Sequence, residues 1–297
     1  MDDQFIQLKG VTKVFGKNKV LDNIDLSIPE GKITGIVGAS GEGKSTVLKL
    51  IASFYKVTSG EILYFRRDIN TDLNNIKKSF GLAIEDGSFY EDLTVHENLF
   101  HFGRLFGIDK KTLRRRIDGI LFFIGLDTAK AILAKNLSLG MKKRLDLACA
   151  LVHKPSVLVL DEPTADLDPL LRNQMLKLIK KINSHGTTII VTTQILEELD
   201  VLCDNVAILY NEKIVEQGDL ASVLKKYGTK TMNDVFTKIF SKRGRKTYQE
   251  SNEQKTEFDN EKHEQALKPE ALEGNDFIQE LKTVVKEEEK QDEPKSA

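Results

Sequence analysis

The sequence predicts an α/β fold with a mostly parallel core sheet, interrupted by a helical insertion. Two continuous apolar runs, "VLVL" (157–160) and "IIVTT" (189–193), follow helical stretches and have the length of strands buried on both faces. Between 85 and 135, by contrast, no run reads as a strand. A parallel sheet needs helical crossovers between its strands, and this order of elements supplies them.

Each element follows from local chemistry. "NIDLSIP" alternates as a half-buried strand does, and residues 32–37 read as a short buried strand running into a glycine-rich turn and then "TVLKLIASF", a helix. In "LTVHENLFHFGRLFG", Thr94 and Glu97 form a capping box that starts a helix, and "LRRRIDGILFFIGL" repeats the helical spacing. Segments 139–153 and 170–183 carry the same spacing, with Pro155 and Gly186 as breaks before the next strands. There is no internal repeat.

Composition narrows the function classes. The 297 residues are 40% hydrophobic, enough for a substantial core, and 44 Lys and Arg oppose 45 Asp and Glu. Such a balance gives no global field for nucleic acid, and none is expected as a partner. From 241 to 297 the chain holds 15 acidic and 11 basic side chains with few large apolar ones, a composition expected to be a disordered tail. The folded domain is therefore expected to span 1–240. Cys149 and Cys203 sit in apolar helical patterns and read as reduced core residues, which fits a cytoplasmic protein. The N-terminus lacks a signal-peptide core, and the longest apolar run, "ILFFIGL", is far short of the ~20 residues of a membrane helix. Any link to a membrane must come through a partner. The five histidines show no metal-ligand spacing.

Two stretches look built for anions. "GIVGASGEGKST" (35–46) lies between a strand and a helix, the setting that a G-x-x-x-x-G-K-[ST] loop requires. Gly38, Gly41 and Gly43 let backbone N–H groups converge on phosphate oxygens, with Ser40 and Thr46 in the same turn. Lys44 brings a point charge to the outer phosphates, and the Ser45 hydroxyl can ligate Mg²⁺. "VLVLDEPTADLDP" then provides Asp161 at the end of a buried strand as a metal ligand, with Glu162 beside it as a general base. The second stretch, "NLSLGMKKRL" (136–145), is a serine-capped turn opening a basic helix, whose first N–H groups form an anion site.

With these motifs in this order, residues 4 to 240 resemble the nucleotide-binding subunits of ABC (ATP-binding cassette) transporters. The resemblance implies a P-loop NTPase fold with an N-terminal antiparallel β subdomain and a helical insertion at about 85–150. It implies ATP and Mg²⁺ as cofactors and a head-to-tail dimer, in which "LSLGM" of one copy, through Ser138 and Gly140, caps the ATP on the phosphate loop of the other. Phe15 matches the aromatic that stacks on adenine, and Asp168 matches the loop that crosses the dimer interface. Glu85 stands where the family usually has glutamine, and Gln194 where it usually has a histidine contacting the γ-phosphate. Both departures imply slowed turnover.

Together with "TMNDVFTKIF", these features resemble the exporter-type ATPases that pair with an integral membrane permease subunit of about six spans. The expected location is the inner face of the cell membrane, bound through that subunit. Phe89 and Tyr90, just past Glu85, are expected either to anchor the permease or to pack in the insertion. A soluble or regulatory ABC ATPase with little turnover is the alternative function. In the tail, the basic run 241–246 and an apolar face of Phe277, Ile278, Leu281, Val284 and Val285 read as a solvated linker region.

Overall fold

A computed structural model of the chain describes residues 4–65, 67–68, 73–84 and 87–242. The chain opens with two long antiparallel strands, β1 (Gln4–Phe15) and β2 (Asn18–Pro29). Strand β3 (Ile33–Val37) leads through the glycine turn into α1 (Lys44–Ile51). β4 (Ser59–Tyr64) returns to pair with β1, β5 (Arg67–Asp68) pairs with β4, and α2 (Leu73–Lys78) precedes β6 (Phe80–Ala83). Helices α3 (Val95–Leu105), α4 (Lys110–Ile124) and α5 (Leu139–Leu151) follow, with short 3-10 turns before α5. The chain then alternates through β7 (Val157–Asp161), α6 (Pro169–Asn183), β8 (Thr188–Thr193) and α7 (Leu196–Leu202). A hairpin, β9 (Asn205–Tyr210) and β10 (Lys213–Asp219), precedes α8 (Leu220–Tyr227) and α9 (Met232–Lys242).

The strands form two sheets. The antiparallel one runs β2-β1-β4-β5, and the six-stranded one runs β10-β9-β3-β8-β7-β6 with every pairing parallel except β9 with β10. The α/β class, the antiparallel N-terminal sheet and the helical insertion expected from the sequence are all present. Every residue of β3, β7 and β8 is buried, which is why these strands read as unbroken apolar runs rather than alternating ones. One face of the six-stranded sheet packs with α1 against the antiparallel sheet, and the other packs against α6 to α9.

The insertion has its own apolar cluster, in which Val95 and Leu99 of α3, Leu113, Ile117 and Leu121 of α4 and Leu145, Ala148 and Cys149 of α5 meet. Helix α5 also sends Leu147 and Ala150 into the core cluster, so it is buried on two sides. It is the rod that joins insertion to core. The Thr94–Glu97 capping box forms as read, and Asp109 and Gly125 cap the two ends of α4. Both cysteines are free and buried, Cys203 as the residue that closes α7.

Residues 243–297, including most of the basic run and the whole apolar face noted above, lie outside the described residues, as does Glu85. Among the described residues no helix is long and apolar enough to cross a membrane.

Candidate functional site

The parallel order β3-β8-β7 brings the C-terminal ends of three strands together, the place where an open α/β sheet binds its ligands. After β3 the glycine turn wraps toward α1. Gly38 has no room for a side chain, because a Cβ there would lie 2.5 Å from the Leu209 carbonyl oxygen. Gly43 caps α1 with φ 97°, a left-handed conformation that favours glycine, and no side chain hydrogen-bonds into the helix start. Ser40, Ser45 and Thr46 are half-buried around this turn, and Gly41, exposed, also takes a left-handed φ of 75°.

Lys44 is buried at the centre. Its ammonium donates to the carbonyls of Gly38 at 3.1 Å and Ala39 at 3.0 Å, and it lies 3.5 Å from Glu162 Oε1. Burial lowers its pKa, opposed chiefly by the charge of Glu162 and then of Asp161 and Glu42. An ammonium taken out of water costs several kcal/mol unless it is compensated, at about that scale, by nearby anions. Here the compensation comes from the carboxylates at the end of β7.

Those carboxylates are held by β8. Asp161 pairs in register with Thr192, whose Oγ1 donates to Asp161 Oδ1 at 2.5 Å and accepts from the Glu162 N–H at 3.1 Å. Glu162 has φ 48°, a left-handed conformation that costs a non-glycine residue roughly 1–2 kcal/mol. The turn directs its side chain to Lys44 and to Gln194, whose Nε2 donates to Glu162 Oε1 at 2.7 Å. Lys44, Asp161, Glu162 and Gln194 are thus brought together, although they are separated by up to most of the core sequence.

The donor set fits ATP with Mg²⁺. Asp161 and Ser45 offer hard oxygen ligands of the kind Mg²⁺ takes, and the turn is so close to the Leu209 backbone that only glycine passes at Gly38. Phe15, 39% exposed at the end of β1, leans edge-on against Tyr55 at 5.1 Å between ring centroids, with the Lys13 ammonium 4.5 Å from its ring. It is a partly exposed surface ring, not a core aromatic.

The chain matches the family profile described as ABC transporter over residues 21–165. The linearmycin resistance ATP-binding protein LnrL of Bacillus subtilis is 32% identical over 226 residues, which cover 76% of this chain and 70% of that protein. This chain belongs to the ABC transporter ATP-binding family. The daunorubicin/doxorubicin resistance ATP-binding protein DrrA of Streptomyces peucetius is 33% identical over 227 residues, 76% of this chain and 69% of that one. A solved structure described as the dimeric form of a bacterial ABC transporter cassette superposes with a TM-score of 0.66 at 27% identity, covering 72% of this chain and 98% of its own.

Within this cassette, the second anion stretch lies in the insertion, at the start of α5. Ser138 is exposed and caps the helix, accepting from the Met141 N–H at 3.4 Å, while Gly140 is buried with Leu171 3.1 Å from where a Cβ would be. Asp168 caps α6, accepting from the N–H groups of Leu170 at 2.9 Å and Leu171 at 3.0 Å, with Leu170 68% exposed beside it. The structure does not bring Ser138, Gly140 or Asp168 into hydrogen-bond contact with the Lys44–Glu162–Gln194 group. Phe89 is half-buried against the insertion cluster, and half-buried Tyr90 meets His101 edge-on at 5.0 Å and exchanges hydrogen bonds with Asn98.

Sequence reasoning missed several buried polar groups. Asp146, one of the buried residues of α5, accepts from Ser88 N at 2.7 Å and Ser88 Oγ at 2.5 Å, which ties the loop before α3 to α5. Burial pushes its pKa up to about 6, against the opposing hydrogen bonds from Ser88. Its charge was no signal, because Lys142, Lys143 and Arg144 precede it in the same helical stretch. Thr192 gave no signal beyond strand propensity, since its role depends on which strand lies beside β7.

Proposed function

We propose that this cassette binds Mg²⁺-ATP and hydrolyses it slowly, closes head to tail with a second copy, and so drives a separate integral membrane exporter subunit from the inner face of the membrane. The observation that carries this reading is the contact of Glu162 with both Lys44 and Gln194 at the ends of β7, α1 and β8. It assembles a phosphate charge, a base and a switch residue in one place. The resistance functions of LnrL and DrrA support export, and the dimeric cassette structure supports the pairing.

On this reading Lys44 leaves the Gly38 and Ala39 carbonyls and pairs with the outer phosphates, which are a stronger acceptor. Glu162, released from Lys44, orients the attacking water and accepts its proton. Ser45 and Asp161 would hold Mg²⁺, which would supply positive charge against the charge of the phosphates. Phe15 stacks on adenine, and Ser40, Gly41, Gly43 and Thr46 enclose the phosphates. Ser138 and Gly140 of the second copy close over that phosphate with the positive end of α5, and Asp168 crosses between the two sites.

Gln194 sets the rate. A glutamine amide donates to the γ-phosphate but cannot carry a proton or a positive charge as histidine can. Losing that contribution raises the barrier by roughly 1.4–2.7 kcal/mol, one to two orders of magnitude in rate. The 2.7 Å bond from Gln194 to Glu162 also favours a second reading, a regulatory cassette that binds ATP and dimerises with little turnover. Glu162→Gln tests the main one. It keeps the shape of the site and removes the base, so hydrolysis should fall at least about 100-fold while ATP now accumulates dimer. Sedimentation showing only monomer at saturating Mg²⁺-ATP, with the membrane subunit present, contradicts the proposal.

A further inference from the structure

Glu198 is a buried carboxylate that the hydrolysis scheme leaves unused. It sits in α7 at 4% exposure, where a glutamate is seldom found without dedicated partners. Its Oε2 accepts two hydrogen bonds from different parts of the site. Thr193 Oγ1, at 2.7 Å, belongs to the last residue of β8 and the neighbour of Gln194. Thr164 Oγ1, at 2.9 Å, belongs to the turn that runs from Glu162 to Asp168.

Both arms are themselves fixed. Thr193 Oγ1 accepts from the Ile195 N–H at 3.0 Å, which braces the turn carrying Gln194. On the other side Arg172 Nη2 donates to the Leu167 carbonyl at 3.3 Å, and its Nε lies 3.6 Å from Glu198 Oε1. Neither Oε1 nor Nε completes a hydrogen bond. One carboxylate therefore joins the switch, the crossing segment and the start of α6. Hydrogen bonds to a buried charge are among the stronger ones, and a shared acceptor oxygen makes displacement of either threonine felt by the other.

We propose that Glu198 is a positioning residue that couples the Gln194 switch to the Thr164–Asp168 segment. What Gln194 meets at one γ-phosphate is thereby carried to the loop facing the second copy. This rests on the two-copy reading above and adds the route between the two sites.

The test uses the full chain with Thr164→Val, which removes one hydroxyl and keeps the side-chain shape, and Thr164→Ser, which keeps the hydroxyl. In Thr164→Val, kcat should fall about 5- to 10-fold with KM for Mg²⁺-ATP within about 2-fold of wild type, the scale of one net hydrogen bond. Thr164→Ser should recover it. In a Glu162→Gln background, Thr164→Val should raise the ATP needed for half-maximal dimer, by sedimentation, by a similar factor. Unchanged kcat and dimerisation overturn the coupling, as does a loss of kcat that follows melting temperature and is not recovered by serine. If wild type binds ATP but neither turns over nor dimerises, the two-copy reading is the part that fails. The coupling is then read in amide hydrogen exchange. ATP should slow exchange at residues 164–168 in wild type and not in Thr164→Val, and no slowing in wild type overturns it.

Discussion

On the proposed function the C-terminal end of the core sheet and the start of α5 both meet phosphate, but they are held in opposite ways. At the core, Lys44 and Asp161 are tied by buried bonds to Gly38, Ala39 and Thr192, and Glu162 by a part-buried bond to Thr192 and an exposed one to Gln194. At α5, Ser138 and Leu139 are exposed, and the cap rests on one 3.4 Å hydrogen bond. The first half is braced within the chain and can exchange its own ties for those of a ligand. The second half presents its capping serine outward, where the proposed second copy would meet it. What connects the two is buried and polar, through Asp146 and Ser88 at α5 and through Glu198 behind the switch. The exposed pair between Lys142 and Glu91, at 2.7 Å, spans the same junction but is screened by water and contributes little.

The largest effect expected on that comparison concerns Asp146. Its folded pKa of about 6 lies above the ordinary value of 3.8, so the fold favours the protonated form. Wild type should therefore gain stability relative to Asp146→Asn as pH falls from 7.5 through 6 toward 4, by up to roughly 2–3 kcal/mol. Buried His153, whose pKa is lowered to about 4 mainly by burial, works in the opposite direction, since it resists the proton that the unfolded chain takes up. It is present in both proteins and cancels in the difference. Denaturant unfolding of the pair across this range measures it, and a flat difference would show that α5 is not held to the loop through an ionisable group.

A smaller effect sharpens the core half. Gln194→His should raise the single-turnover rate about 10-fold, because imidazole can stabilise the charge that glutamine cannot. An unchanged rate would mean that the 2.7 Å contact with Glu162, rather than the missing charge, limits turnover.

Much of this was legible in the sequence. β7 and β8 were plain because both faces are buried, so their apolar runs are unbroken. The starts of α3 and α5 were plain because caps use few residue types at fixed offsets. The phosphate loop was readable because glycine is required where the backbone passes Leu209. What could not be read was lateral order. That Thr192 would hold Asp161, or that Thr164, Thr193 and Glu198 would share one oxygen, depends on β8 lying between β3 and β7, and nothing local specifies that. Asp146 was obscured differently. Helix α5 is buried on two sides, so its pattern has no clear polar face to make one buried carboxylate stand out.

The most direct test of the division between the two halves is complementation. Lys44→Ala removes the phosphate charge of the core half, and Ser138→Arg blocks the outward-facing half. Each variant alone should be inactive as an Mg²⁺-ATPase. Mixed in equal amounts, they should recover about a quarter of wild-type activity, because half of the random dimers are mixed and each of those contains one intact site. A mixture as silent as its components, with both variants shown to be folded and able to pair, would contradict a site made from Lys44 of one copy and Ser138 of the other.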